Sequence, residues 1–176
     1  MEEVLIKRAQ QGDDEAFKTL IEKHIATVER FAFQLGVHHS EVEDITQEVF
    51  IKVYRFLNKF RRGKFTTWLY AITLNVVKDY YRHEKSEKRK VDALKREATH
   101  ISYFPPHFDE EAKMLHDCIQ TLEDKYKIPI ILHYFHDQTF REIADVLGVT
   151  EGAIKTRMMR ARQQLKAKFE KVGEQR

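Results

Sequence analysis

QTFREIADVLGVTEGAIKTRMMRARQQLKAKF, residues 138–169, holds two helical patterns separated by a sharp turn. Phe140, Ile143, Ala144 and Leu147 fall on one stripe at helical spacing. Gly148 then ends the helix, because a residue without Cβ enters the left-handed conformation of a C-cap with little strain. Thr150 offers the hydroxyl an N-cap needs, and Glu151 suits the positive end of the next helix dipole. In that second helix Ile154, Met158, Ala161, Leu165 and Phe169 predict a buried stripe, which turns Lys155, Thr156, Met159, Arg160 and Gln163 outward. Two short helices across a glycine turn predict a helix-turn-helix, whose second helix lays its outer face in a DNA major groove. The competing reading is a solvated basic face on an ordinary helical hairpin. The glycine turn, the cap and the basic outer face occurring together favour DNA.

Composition sets the frame for that motif. The 176-residue chain is long enough for one or two small domains. Its 42% hydrophobic and 34% charged residues describe a globular chain with many solvated helical faces. Six Gly and three Pro favour helices over a turn-rich β fold. No apolar run is long enough to span a bilayer, and MEEVLIKRAQ does not read as a signal peptide. A lone cysteine, Cys118, leaves no disulfide framework, which predicts the cytosol. The net charge of +3 hides an asymmetry: residues 61–96 hold 11 Lys/Arg against 4 Asp/Glu, and residues 155–171 hold 7 against 1. Net +7 and net +6 on a +3 chain leave −10 elsewhere. Two separate basic segments on an otherwise acidic chain predict two contacts with a polyanion.

Upstream of the motif the pattern stays helical. A short first helix runs to Gln11 and is closed by Gly12, and Asp13 is placed to cap the next one. Phe17, Leu20, Ile21, His24, Val28, Phe31, Ala32 and Leu35 continue at helical spacing up to Gly36. Ser40 with Glu43 has the form of a capping box, after which Val42, Ile45, Val49, Val53, Phe56 and Phe60 are expected to face inward. Asp44, Gln47, Glu48 and Lys52 share a polar face, which on its own reads equally well as plain solvation.

The basic turn Arg61-Arg62-Gly63-Lys64 leads into FTTWLYAITLNVVKDYYRHEKSEKRK, read as one long helix. It interleaves Phe65, Trp68, Tyr70, Tyr80 and Tyr81 with Lys78, Arg82, Lys85, Lys88, Arg89 and Lys90. Cations bind phosphate, and aromatic faces stack on unpaired bases. Asn75 and Asp79 sit one turn apart, so an amide and a carboxylate are placed to read base edges. Trp68 and Tyr70 are the aromatics first expected in the core, whereas residues 80–90 are too basic for a core role.

Periodicity fades after Val91, and residues 92–108, with Pro105-Pro106, read as an interdomain linker. A second helical domain begins near Asp109, with Met114, Leu115, Cys118, Ile119 and Leu122 as its first stripe and residues 128–135 as its next core segment. Pro129 has no backbone donor, so a first-turn position is expected for it. The expected architecture is all-α: two small helical domains, residues 1–91 and 109–176, joined by a flexible linker, the second containing the helix-turn-helix. There is no internal repeat, no phosphate-binding glycine loop and no nucleophile or acid-pair motif, so no enzyme is predicted. His116, Cys118, His133 and His136 fit no common zinc spacing, and no metal or other cofactor is expected.

GDDEAFKTLIEKH, EDITQEVFIKVYRFLNKF, FTTWLYAITLNVVKDYYR and LEDKYKIPIILHYFHDQTFREIADVLGVTEGAIKTRMMRARQQL, in this order across a Pro-containing linker, resemble the extracytoplasmic-function sigma factors. These are small promoter-recognition subunits of bacterial RNA polymerase, and the resemblance covers nearly the whole chain. It implies that residues 1–91 are a region-two domain that binds core polymerase and melts the −10 element. Residues 109–176 would be a region-four domain that reads the −35 element. Asp44, Gln47, Glu48, Lys52 and Phe56 are implied to dock on the clamp coiled coil of the largest polymerase subunit. Lys64, Trp68, Asn75, Lys78, Asp79 and Arg82 are implied to engage the −10 strand, with Asn75, Lys78 and Asp79 at positions that capture a flipped base. Flipping costs a few kcal/mol of unstacking, which pocket contacts must offset. Lys155, Thr156, Arg157, Met159 and Arg160 are implied to contact the −35 duplex.

Two departures stand out. His133 falls where relatives often carry a phosphate-contacting Arg, and residues 92–108 hold 2 Lys/Arg against 2 Asp/Glu and so lack an acidic excess. The implied partners are core polymerase, promoter DNA in double- and single-stranded form, and an anti-sigma factor governing a stress or envelope response. No small-molecule substrate is implied. Since polymerase would hold both DNA-binding domains at a fixed separation, neither needs high affinity alone. Weak, salt-sensitive DNA binding by the free chain is therefore expected. Two other readings remain open. A self-sufficient helix-turn-helix regulator would bind a palindrome as a symmetric dimer. An enzyme acting on nucleic acid would need metal ligands or an acid/base set near its basic face.

Overall fold

The computed structural model describes residues 1–91 and 109–175, and the linker expected at 92–108 lies outside the described residues. Every regular element among them is helical. The helices are α1 (Glu2–Gln10), α2 (Asp14–Gln34), α3 (Val42–Phe56), α4 (Phe65–Val91), α5 (Glu110–Gln120), α6 (Asp124–His136), α7 (Phe140–Leu147) and α8 (Glu151–Glu174). They form two compact units, one built on α1–α4 and the other on α5–α8.

In the first unit α3 packs along α4, and α1 lies against the short 3-10 turn Leu57–Lys59. Leu20, Val28, Phe31, Val49, Val53, Leu69, Leu74 and Val77 fill its interior. Phe31 and Tyr70 meet edge to face with ring centres 5.2 Å apart. The break between α1 and α2 is built as expected: Gly12 turns at φ +89°, and Asp13 Oδ1 accepts from the Ala16 amide at 3.0 Å. The entry to α3 is not. Ser40 and Glu43 form no capping box; a 3-10 turn, His39–Glu41, intervenes, and the His38 ring accepts from the Ser40 amide at 3.2 Å. Phe56 and Phe60, expected inside, are half-buried, and the buried stripe is completed by Phe50 and Leu57.

In the second unit α8 packs against α5, α6 and α7. Ile130, Ile131, Leu132, Ile143, Ile154 and Met158 are almost fully buried. Asp109 caps α5 by accepting from the Ala112 amide at 2.7 Å. Pro129 is not in the first turn of α6 but in its interior. The helix starts earlier, where Glu123 accepts from the Tyr126 and Lys127 amides at 2.9 Å each. Only then can Tyr126, Ile128 and Ile131 all reach the core. Burial of those side chains outweighs the hydrogen bond that Pro129 cannot give to the Lys125 carbonyl. Helix α6 ends on Asp137 in the left-handed region at φ +52°, and α7 ends on Gly148 at φ +66°. On α8 the stripe Ile154, Met158 and Ala161 is buried, but Leu165 is only half-buried and Phe169 is exposed.

Candidate polymerase and nucleic-acid interfaces

The outer side of α3 carries Asp44, Gln47 and Glu48, all exposed, because Val42, Ile45, Val49 and Val53 on the opposite side are buried against the rest of the unit. Beside this polar face lies an open groove of about 860 Å³ between α2 and α3. Phe17, Ile21 and Ile25 line one wall; Phe50, Ile51 and Tyr54 line the other. Tyr54 is 64% exposed, and its ring meets Phe17 edge to face at 5.0 Å. Gln47 belongs to both the polar face and the groove, whose rim also bears Glu29, Glu43 and Arg55. Ile51 and Tyr54 leave an open apolar surface on this side of α3. The groove was missed in the sequence. Its signal was the spacing Phe17, Ile21, Ile25, a second apolar stripe next to the buried one of Leu20, His24 and Val28. Phe56 lies at the end of α3 with Lys59 Nζ 5.0 Å above its ring.

A different face is built on α4. Leu74, Val76 and Val77 are buried, so Asn75, Lys78, Asp79 and Arg82 are carried outward on a single exposed stripe. The Asp79 carboxylate holds two cations: Arg82 pairs with Oδ1, and Lys52 Nζ lies 3.5 Å from Oδ2. Lys52, which the resemblance groups with the polymerase-binding face, thus extends to the α4 face. A nucleobase amine would have to share or displace these cations to use Asp79 as an acceptor. Lys64 is exposed at the start of α4, after Arg61, Arg62 and the positive-φ Gly63. Trp68 is half-buried, packed on Phe60 at 5.3 Å and on Phe65 at 5.8 Å, so it is only partly a core residue; Tyr70 is buried. Further along, Tyr80 and Tyr81 rings lie 5.4 Å apart. Partial burial, with Glu84 and Glu41 nearby, pushes the Tyr80 hydroxyl above its usual pKa, so it stays a neutral donor.

The third face is the helix-turn-helix. Thr139 and Glu142 form a full capping box at α7: the Glu142 amide donates to Thr139 Oγ1 at 3.2 Å, and the Thr139 amide to Glu142 Oε2 at 2.8 Å. Thr150 caps α8 by accepting from the Ala153 amide at 3.1 Å. These caps fix the direction of α8, along which Lys155, Thr156, Met159 and Arg160 are exposed and Arg157 is half-buried. Arg162, absent from the sequence reading, donates from Nε to the Tyr134 hydroxyl at 2.6 Å and lies 5.7 Å from that ring's centre. His133 is tied by Nδ1 to the Gln138 carbonyl at 2.9 Å, with its ring against Phe140. Among the described residues no group of three or more His, Cys, Asp or Glu is arranged to hold a metal. Nor is any helix among them long and apolar enough to cross a membrane.

Comparison with known proteins matches two family models to the two units. Residues 20–87 match Sigma-70 region 2, and residues 112–165 match Sigma-70 region 4. The ECF RNA polymerase sigma-E factor of Haemophilus influenzae is 28% identical over 181 aligned positions, covering 96% of this chain and 95% of the relative. The sigma-E factor of Escherichia coli K12 is 29% identical, covering 96% and 94%. Among solved structures, the sigma factor RpoE of Bartonella quintana, in complex with the anti-sigma factor NepR, superposes with a TM-score of 0.70. Its identity is 23%, and the match covers 88% of this chain and 96% of that one, so it speaks to the fold. Both region models, in order and together spanning most of the chain, with full-length relatives of one kind, make this chain a member of the extracytoplasmic-function sigma factors, which give RNA polymerase its promoter specificity and are not themselves enzymes.

Proposed function

We propose a division of labour among the three faces. Asp44, Gln47, Glu48, Lys52 and Phe56, together with the groove between α2 and α3, dock on the clamp coiled coil of core polymerase. Lys64, Trp68, Asn75, Lys78, Asp79 and Arg82 hold the melted −10 strand. Lys155, Thr156, Arg157, Met159 and Arg160 lie on the −35 duplex, with Arg162 beside them. Residues 1–91 act as the region-two domain, 92–108 as the linker and 109–176 as the region-four domain, in the cytoplasm. No cofactor is needed. The observation that carries this reading is the α4 stripe: an amide, a carboxylate and two cations on one exposed side of the helix, with Lys52 of α3 reaching the same carboxylate, separate from the apolar groove between α2 and α3. Exposed cations attract the phosphate backbone, and the amide and carboxylate can discriminate a base once it leaves the stack.

We further propose that an anti-sigma partner silences the protein by covering the α2–α3 groove, because an open apolar groove suits an amphipathic helix and coverage there blocks polymerase. The sigma factor RpoE of Bartonella quintana, which is similar to this chain in fold, forms a complex with the anti-sigma factor NepR. The test is a titration of labelled chain with purified core polymerase. Tyr54→Ala and Gln47→Ala should each weaken binding by about ten-fold, in keeping with the loss of one well-packed anchor. Asn75→Ala should leave binding unchanged. Equal core affinity for all three variants would refute the assignment of the docking face.

A further inference from the structure

Helix α1 precedes the matched region-two segment, yet it is joined to the turn that carries the basic residues. The Gln10 side-chain amide nitrogen donates to two main-chain carbonyls far along the chain, Leu57 and Phe60, at 2.9 Å each. Those carbonyls bracket the 3-10 turn Leu57–Lys59, which links α3 to Arg61-Arg62-Gly63-Lys64. A primary amide has two N–H groups, and spending both on one turn fixes that turn in two directions at once. The contact is part-buried, so water competes for it less than at the open surface.

Phe60, the residue whose carbonyl Gln10 holds, also places its ring against Phe65 at 5.8 Å and Trp68 at 5.3 Å. The other end of α1 reaches the same aromatic group. Glu2 Oε1 lies 2.8 Å from His24 Nε2, and the His24 ring lies 5.2 Å from Phe65. Ile6, between the two ends, is buried and anchors α1 independently of either. Beyond Phe60 the chain bends at Gly63 with φ +89°, and Arg61 and Arg62 are exposed. The turn is therefore held from its base, by Gln10 and the aromatic group.

We infer that Gln10 is a positioning residue for melted-strand capture: by clamping the Leu57 and Phe60 carbonyls it presets the Arg61–Lys64 turn and Trp68 in the orientation that receives the −10 strand. Gln10 itself touches no DNA. The inference rests on the proposed contact of Lys64 and Trp68 with that strand. Losing the clamp leaves α1 packed through Ile6 and leaves the α2–α3 docking groove intact, so it should loosen strand capture without loosening polymerase.

The experiment uses holoenzyme assembled from the full chain and core polymerase. The probe is a fluorescent single-stranded oligonucleotide carrying the non-template −10 sequence of a promoter selected with the wild-type protein. Gln10→Met, which removes both donors at similar length, is expected to lower oligonucleotide affinity by about five-fold or more, the scale of a lost hydrogen-bonded clamp. Affinity for core polymerase should stay within about two-fold, since that face is untouched. Gln10→Arg, which restores two N–H donors, is expected to recover most of the loss. Unchanged oligonucleotide affinity in Gln10→Met overturns the proposal. So does a parallel loss of core and oligonucleotide binding, which marks a general structural role. Lys64→Ala and Trp68→Ala are measured alongside. If they too leave the oligonucleotide affinity intact, the underlying contact is wrong and the proposal falls with it; if they weaken it and Gln10→Met does not, the proposal alone falls.

Discussion

Asp79 carries a carboxylate whose two oxygens face cations from two different helices, Arg82 on its own and Lys52 on α3. Its spacing from Asn75 was readable in the sequence, because an i, i+4 relation is a property of one helix. Its tie to Lys52 was not, since that depends on how α3 crosses α4. The same distinction separates Thr150, whose cap was legible from a local pattern, from Gln10, whose two acceptors lie far along the chain. Two predictions belong to this scale. Thr139→Ala removes the hydroxyl half of the α7 capping box and should cost about 1 kcal/mol in equilibrium urea unfolding. Asp13 accepts from the Ala16 amide and pairs with Arg8, and these hold its carboxyl below the usual value of 3.8. The unfolded chain then binds the proton more readily, so this contribution is complete above the unfolded pKa and lost as pH falls through the folded one. Asp13→Asn should therefore flatten the decline of stability below about pH 4, measured as urea midpoints against pH.

At the scale of elements, α7 and α8 were the most legible part of the chain. Glycine, cap and apolar stripe all act locally there, and they agree with one another. The failures came where tertiary packing overrode a local rule. Pro129 sits in the interior of α6 because Tyr126, Ile128 and Ile131 need the helix to begin earlier. Phe169 continues the α8 stripe in sequence yet is 38% exposed, whereas Ile154 and Met158, nearer the turn after α7, are buried. The α2–α3 groove was illegible for the converse reason: Phe17, Ile21, Ile51 and Tyr54 look like core residues until the backbone shows two helices that leave them half open. The helix-turn-helix depends on the buried Ile154 between α7 and α8. Ile154→Ala should destabilise the second unit by about 2–5 kcal/mol, with the loss set by how far the cavity collapses. It should weaken −35 binding through the misplaced α8 rather than through a lost contact. A gel-shift on −35 duplex at a temperature where circular dichroism finds the variant folded separates the two effects.

For the whole molecule, charge asymmetry was the informative quantity. The basic segments at residues 61–96 and 155–171 were visible by counting; the first ends within the start of the expected linker and the second lies well beyond it. Counting could not reveal that part of the first segment's charge is already engaged, as Arg82 is by Asp79. Because each unit offers only a modest basic face, the free chain should bind promoter duplex weakly. Between about 50 and 200 mM salt the affinity should drop on the order of a hundred-fold if about four phosphates are contacted. Fluorescence anisotropy across that salt range checks it. A flat salt dependence would mean the faces do not meet phosphate.

The measurement that bears most directly on the two proposed DNA-binding faces is run-off transcription by core polymerase on promoters selected from a random library, with wild-type chain and with Asn75→Ala or Arg160→Ala. The account predicts transcripts from defined start sites that require the chain, and loss of those transcripts with either variant while both variants still bind core polymerase. Transcription that is insensitive to both substitutions, or no chain-dependent start site on any template, would contradict it.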